Sequence, residues 1–195
     1  MKISQKRIIP GKVLEFGCGN GRNAIYMYKQ CCEIDAVDIS QEAINWAKDN
    51  SKKNSSSINF ICANVFQLEM PDNKYDFVYD CGLLHHLVPH RRYQYIESVY
   101  RTLKHNGHFG IVCFASGYEE TSGVQEKSDM SVYKIYAMQG GMAYSIETLR
   151  DILSDFFEEI EIRAMLECNT NEGLFGKSFL WVSLWRKKCK ELYCT

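Results

Sequence analysis

Short runs of aliphatic, β-branched and aromatic residues alternate along this chain with segments whose apolar positions recur at helical spacing. That alternation is the pattern of βαβ units feeding a mainly parallel sheet. Lys12 to Phe16 reads as a first strand, followed by a glycine-rich turn, a helix across Asn23 to Gln30, and a second strand at Glu33 to Val37 that ends on Asp38. Ser40 suits the N-cap of a helix whose inward face is Ala43, Ile44 and Ala47, closed by the polar run Lys52 to Ser57. Ile58 to Cys62 and Tyr75 to Tyr79 read as the third and fourth strands, with Pro71, Asp72 and Asn73 marking a turn between them. Pro89 fits the first position of a helix carrying Ile96, Val99, Tyr100 and Leu103, which the pattern stops at Asn106 and Gly107. His108 to Phe114 is then a fifth strand.

Residues 115–144 contain paired glycines, many polar residues and no clear strand, so they read as a long insertion carrying one helix. Loops of that length in compact domains are usually functional lids or disordered, and a lid over the active site is the expectation. Ser145 caps a last helix with Ile146, Leu149, Ile152 and Leu153 inward. Phe157 to Arg163 and Lys177 to Trp185 follow as two strands with no helix between them, which implies an antiparallel hairpin along one edge of the sheet. No repeat and no second domain is visible, and residues 1–195 read as a single α/β domain.

Composition narrows the function classes. A formal net charge of −1 on 195 residues gives no global reason to bind nucleic acid or an anionic membrane, so a small molecule is the expected partner. Arg186, Lys187, Lys188 and Lys190 form a short basic stretch that reads as a solvated tail. The nine cysteines are scattered and odd in number, and Cys62 and Cys113 lie inside apolar runs, so reduced core thiols are expected. Adjacent Cys31 and Cys32 would point to opposite faces of a strand, no paired CxxC spacing is present, and no metal site is expected. The first residues lack an apolar signal core and no run approaches the roughly 20 apolar residues of a membrane span. A cytoplasmic monomer or homodimer is the resulting expectation.

The run Leu14-Glu15-Phe16-Gly17-Cys18-Gly19-Asn20-Gly21 closes the first strand and opens a helix. Missing side chains there let a ligand touch the backbone, with helix N–H groups facing it. Alone, the pattern fits a plain tight turn as well as a nucleotide-like ligand. Asp38, at the carboxyl end of the next strand, stands where a carboxylate accepts from a ribose diol; the bland alternative is a turn cap before Ser40. A dinucleotide fingerprint needs a third glycine at position 22, where the helix packs closely, and that residue is Arg22. No GK[ST] lysine follows to make a nucleotide-triphosphate loop.

LEFGCGNG followed by Asp38 resembles the motif I region of class I S-adenosylmethionine-dependent methyltransferases. Downstream, CANVFQLEMPDNKYDFVYDCGLLHHL resembles that family's adenine-contact segment and fourth strand, and LKHNGHFGIVCFA its fifth-strand segment. The resemblance covers nearly the whole chain. It implies a Rossmann-like, seven-stranded, mostly parallel sheet with an antiparallel C-terminal hairpin and helices on both faces. It implies S-adenosylmethionine as cofactor and S-adenosylhomocysteine as product, with Gly17, Cys18, Gly19 and Gly21 facing the methionine moiety and Glu15 steadying the loop or the ammonium. Asp38 would hold the ribose hydroxyls, Ile39 would pack on the adenine, and Asn64 and Val65 would lie at its exocyclic edge. Many members have Asp where this chain has Asn64, an amide that can still accept from the adenine amine without charge. Members often carry tens of residues before the first strand as a helix covering the cofactor. Here only Met1 to Gly11 precede it, which implies a truncated cover, a more open site, or a cover supplied by another subunit.

Methyl transfer from a sulfonium is an in-line displacement, so the protein chiefly aligns donor and nucleophile and excludes water. Asp80-Cys81-Gly82-Leu83-Leu84-His85-His86 follows the fourth strand, where open α/β sheets bind ligands, which places Asp80 near the cofactor. His85 and His86 are open to three readings: ordering the loop, acting as a general base, or ligating a metal with His90. The wording from Asp76 to Lys104 resembles the small-molecule branch that includes thiol, thiopurine and tellurite methyltransferases, implying a small-molecule acceptor. Tyr118, Tyr133, Tyr136 and Tyr144 either wall an acceptor pocket or pack the insertion on the sheet, and Arg91 and Arg92 either attract an anionic acceptor or are solvated. The alternative function is a non-catalytic scaffold or regulatory protein that binds S-adenosylmethionine or S-adenosylhomocysteine. A nicotinamide-dependent oxidoreductase would rest on the glycine loop and Asp38 alone, and fails at Arg22.

Overall fold

The computed structural model describes residues 11–117, 128–135, 141–168 and 175–189. Its elements run β1 (Lys12–Phe16), α1 (Arg22–Tyr28), β2 (Glu33–Asp38), α2 (Gln41–Lys53), β3 (Asn59–Cys62), β4 (Tyr75–Cys81), a 3-10 turn (Leu84–His86), α3 (Pro89–Thr102), β5 (Leu103–Phe114), α4 (Asp129–Ile135), α5 (Ile146–Leu153), β6 (Phe157–Ala164) and β7 (Leu180–Lys187). The strands form one seven-stranded sheet in the order β3-β2-β1-β4-β5-β7-β6. The pairs from β3 to β5 are parallel, whereas β7 runs antiparallel to both β5 and β6. This is the Rossmann-like sheet with an antiparallel C-terminal pair that the resemblance implies, and β7 inserts between β5 and β6 so that β6 is the edge.

Alternation along the central strands separates two apolar layers. Leu14, Phe16 and Val78 pack with Ile96 and Val99 of α3 and Leu149 and Leu153 of α5. Val13, Phe77 and Tyr79 face the other way, onto Ala24 of α1 and Ile44 and Ala47 of α2. Successive strand residues point to opposite faces, so burial on both sides demands the nearly continuous apolar runs seen in β1 and β4. Two serines start helices as expected: Ser40 Oγ accepts from Ala43 N at 3.2 Å and Ser145 Oγ from Thr148 N at 3.1 Å.

Three expectations are corrected. The helix α3 ends at Thr102 rather than at Asn106 and Gly107. Leu103 is already extended (φ −72°, ψ 139°) and pairs with Tyr75, so β5 begins there, with a register shift between Tyr75 and Phe77. A fully buried leucine at helical spacing satisfies either element, and here strand pairing prevails over helical spacing. Cys31 and Cys32 precede β2 instead of lying in it; Cys31 occupies a left-handed turn (φ 65°) and is exposed. Cys62 is exposed at the end of β3, not a core thiol, with Sγ 3.6 Å from the Ile39 carbonyl. Every cysteine among the described residues is a free thiol.

The excursion from β5 to α5 is tied at its base. Ala115 bridges to Tyr144, Tyr144 N donates to Phe114 O and Ser116 N to Tyr144 O, each at 3.0 Å. Within it, α4 docks on α3 through Arg92, which is buried and pairs with Asp129 at 2.8 Å, and through His90, whose backbone N donates to Tyr133 Oη at 2.8 Å. Arg92 is therefore consumed in packing rather than solvated, whereas Arg91 is exposed and hydrogen-bonds Gln94. Tyr118 and Tyr136 lie outside the described residues, as do residues 1–10. Among the described residues no helix is long and apolar enough to cross a membrane.

Close packing of the sheet is sharpest at Gly110, where a Cβ would lie 2.7 Å from Phe77 Cζ and 3.2 Å from Tyr79 Cδ2. Those two rings are buried and stacked on each other, centroids 6.0 Å apart, so neither has space to yield. We predict that Gly110→Ala lowers stability by about 1–3 kcal/mol, measured by chemical denaturation; an unchanged midpoint would mean that the rings move freely.

Candidate active site

The carboxyl ends of β1, β2, β4 and β5 converge on one opening, where parallel α/β sheets bind ligands. After β1 the chain turns sharply. Gly17 N and Cys18 N both donate to Val37 O, at 2.8 and 2.9 Å, locking the loop to β2, and Gly21 N donates to Cys18 O at 2.9 Å. Gly17, Gly19 and Gly21 all have positive φ. Gly21 is doubly required, because a Cβ there would sit 3.0 Å from both Ala47 Cβ and Phe60 Cζ. Nothing lies within 4 Å of the corresponding position at Gly19, so the loop is open on that side.

Asp38 ends β2 beneath this loop. Its Oδ2 accepts from Gly19 N at 2.8 Å and its Oδ1 from Ser40 N at 2.9 Å, which fixes the carboxylate in one orientation while leaving further acceptor sites on both oxygens. The turn-cap and ligand-binding readings of Asp38 are thus compatible. Ile39, next in the chain, is 70% exposed, an apolar surface that the fold itself does not use. Ala63 N donates to Asp38 O at 2.9 Å, bringing Asn64 and Val65 beside Ile39 at the end of β3. Asn64 Oδ1 accepts from Phe66 N at 3.0 Å, so this amide also shapes its own turn.

Glu15 lies below the loop and is only 1% exposed. Its Oε1 accepts from Asn23 Nδ2 at 3.1 Å, whereas Oε2 has no partner among the described residues. Burial raises the Glu15 pKa to about 8, against the hydrogen bonds from Asn23 and Ala24. Cys18 is likewise buried, and desolvation pushes its thiol well up.

At the end of β4, Asp80 is completely buried and accepts from Leu83 N (2.7 Å), Leu84 N (2.9 Å) and Tyr95 Oη (2.7 Å). Burial raises its pKa to about 6 despite those bonds. Asp80 builds the turn carrying the two histidines and does not itself line the opening. His85 is buried, stacked on Phe114 with centroids 4.0 Å apart, and touches His86 edge-on at 4.4 Å. Burial, with His86 beside it, depresses its pKa to about 3, and partial burial also lowers that of His86. Both imidazoles are neutral at neutral pH. Among the described residues no group of three or more His, Cys, Asp and Glu side chains is placed to hold a metal.

These elements enclose a cavity of about 520 Å³ that contains Gly17, Asp38, His85 and His86 of the sequence-derived candidates. Glu15, Cys18, Gly19, Gly21 and Asp80 lie in or under the loops that form it, and Ile39, Asn64 and Val65 flank it at the ends of β2 and β3. Its apolar wall consists of Leu83, Val112, Phe114, Phe175, Phe179 and Leu180, with Arg22 and Cys81 completing it. Among the described residues neither Tyr133 nor Tyr144 lines this cavity; Tyr144 is buried beneath it with Oη 3.3 Å from Leu84 O. Phe114 and Cys81 stand at strand carboxyl ends, a positional signal present in the sequence. Phe175 and Phe179 become neighbours of the site only because β7 pairs with β5, and no local pattern marks them.

Residues 13–107 match a family model described as a methyltransferase domain. Over 122 residues the chain is 28% identical to an uncharacterized methyltransferase of Schizosaccharomyces pombe, spanning 63% of this chain and 81% of that protein. A solved protein of Pyrococcus horikoshii OT3 superposes with a TM-score of 0.72 at 19% identity, covering 92% of this chain and 82% of that one. The 1,6-didemethyltoxoflavin-N1-methyltransferase of Burkholderia thailandensis, solved with 1,6-didemethyltoxoflavin and S-adenosylhomocysteine bound, superposes with a TM-score of 0.69 at 20% identity, covering 92% and 72%.

The buried Glu15 carboxyl makes stability pH-dependent with a definite sign. The unfolded chain ionises this group near its ordinary value of 4.5, whereas the folded protein retains the proton up to about 8. The contribution of Glu15 is therefore complete below pH 4.5 and declines as pH rises through 8. Glu15→Gln, which never ionises, should gain on the wild type by up to about 4 kcal/mol between pH 5 and pH 8.5. Paired melting curves across that range test this, and a difference in Tm that does not grow with pH would contradict it.

Proposed function

We propose that the chain, a methyltransferase by its match to a methyltransferase-domain model over residues 13–107, takes its methyl group from S-adenosylmethionine and transfers it to a small-molecule acceptor. The carrying observation is that one cavity joins the glycine loop and Asp38 at one end to a wall of phenylalanines at the other. A volume of about 520 Å³, mostly apolar with few polar groups, suits small ligands rather than a polymer tract. The didemethyltoxoflavin methyltransferase, of the same fold, acts on a small molecule, which favours this reading.

The residues present fit the cofactor. Glu15, protonated at neutral pH with its buried Oε2 unpartnered among the described residues, would ionise beside a cation bound at the loop, and the open side of Gly19 gives a ligand access to the backbone. Asp38 offers its free lone pairs to a vicinal diol, and exposed Ile39 offers an apolar face to a flat ring. Asn64 and Val65 stand at the edge of that same shelf. The bound cofactor supplies an electrophilic methyl on a sulfonium. The protein's part is alignment and exclusion of water: Leu83, Val112 and Phe114 dry the space where the acceptor approaches, and the His85–Phe114 stack fixes its floor. His86, exposed and neutral, is the candidate to receive a proton from an acceptor that arrives protonated, whereas His85 orders the turn.

Methyl transfer from S-adenosylmethionine to a panel of small thiols, amines and hydroxyl compounds tests the acceptor class, and turnover of none, with S-adenosylhomocysteine bound, would sink it. Asp38→Ala should weaken S-adenosylhomocysteine binding by about 1–3 kcal/mol in calorimetric titration, the range for charge-assisted hydrogen bonds. Unchanged affinity would remove Asp38 from the ribose site.

A further inference from the structure

One guanidinium on the cavity wall, beside the glycine loop, stands outside the ion pairs of the described residues, its charge reaching the buried Glu15 carboxyl below. Arg22 opens α1 and lines the cavity with its side chain exposed. Its guanidinium lies over the Phe175 ring, 4.5 Å from the centroid, which holds the planar group against an aromatic face. The nine salt bridges among the described residues do not include it. Elsewhere arginines are spent on carboxylates: Arg92 on Asp129, Arg150 on Glu159, Arg163 on Glu161, Arg186 on Glu158. The carboxylate that shares the cavity with Arg22 is Asp38, and both its oxygens already accept backbone N–H groups.

Beside Arg22 the wall is built of ring faces. Phe114 and Phe179 are stacked at 29° with centroids 6.5 Å apart, and His85 stacks on Phe114 at 27°. Near-parallel rings present flat surfaces, and flat surfaces select flat ligands by offset stacking. A guanidinium held in plane presents a fork of donors matched to a carboxylate or a similar oxyanion.

We propose that the acceptor is a flat aromatic molecule bearing an anionic substituent, its ring seated on Phe114, Phe175 and Phe179 and its anion held by Arg22. This rests on the small-molecule reading above and adds the ligand's shape and charge. Arg22 is a specificity-determining residue in this scheme: it selects the acceptor and takes no part in breaking the sulfonium bond.

The test is binding to the complex of the full chain with S-adenosylhomocysteine, followed by calorimetry and by ligand-observed NMR. The probes are 2-naphthoate, its neutral isostere 2-naphthamide, and the saturated anion cyclohexanecarboxylate. The wild-type complex should bind 2-naphthoate about ten-fold tighter than either control, in line with one charge-assisted bidentate contact and one stacked ring. Arg22→Gln should abolish the preference for naphthoate over naphthamide, and Arg22→Lys should retain part of it. The affinity of Arg22→Gln for S-adenosylhomocysteine should stay within two-fold of wild type, which also reports an intact fold. Equal binding of all three probes, or a preference that survives in Arg22→Gln, overturns the proposal. If Arg22→Gln loses S-adenosylhomocysteine affinity to the same degree, the guanidinium serves the cofactor's own carboxylate, and the proposal fails. Failure of the small-molecule reading looks different: no turnover of any small acceptor, whatever the naphthoate result.

Discussion

Asp80 is a completely buried carboxyl group at the end of β4, and the turn that follows is built around it. A fully buried carboxylate costs several kcal/mol in desolvation unless donors surround it, and Asp80 has three, at 2.7 to 2.9 Å, drawn from the following turn and from α3. The same bonds determine where the turn goes. Leu83 is brought under the glycine loop, so that a Cβ on Gly17 would stand 3.1 Å from its own, and His85 is laid on Phe114. Both ends of the cavity therefore lean on one buried charge. With a pKa raised to about 6, Asp80 remains ionised at neutral pH.

The cavity is chemically divided. Its end at the glycine loop is built from backbone amides, the Asp38 carboxylate and, beneath them, the Glu15 oxygen unpartnered among the described residues, all fixed by strand ends and tight turns. Its far end is aromatic and aliphatic, with neutral imidazoles and a single guanidinium at the margin. Such a division suits displacement at a sulfonium, in which positive charge is dispersed rather than created and a dry wall costs the reaction little.

The architecture around the glycine loop was legible because it is local. Strand, glycine turn, helix, strand and acid all fall between Val13 and Asp38, and β1 has the bounds that its apolar run predicts. Caps at Ser40 and Ser145 were legible for the same reason, since each needs only its own side chain and an amide three residues on. The end of α3 was not, because Leu103 fits a helix face and a buried strand equally and the choice is made by Tyr75, far away in sequence. Nor was the aromatic wall: Phe175 sits in the connection before the last strand and Phe179 inside the run that reads as that strand, and only the register of β7 against β5 brings them to the site. Arg92, expected at the surface, is buried because Asp129 and Met142 arrive from the other side of a long excursion.

The clasp at the base of that excursion holds its two ends together. Ala115, Ser116 and Tyr144 close it with backbone bonds, while between them Val132 and Met142 join the core and Asp129 pairs with the buried Arg92 of α3. Closure entropy grows only slowly with loop length. Length added between the clasp and α4 would therefore cost little in closure, whereas Asp129, Val132 and Met142 are held by what they pack against. The clasp lets length vary without disturbing the strands, and the contacts of α4 decide which variations still fit.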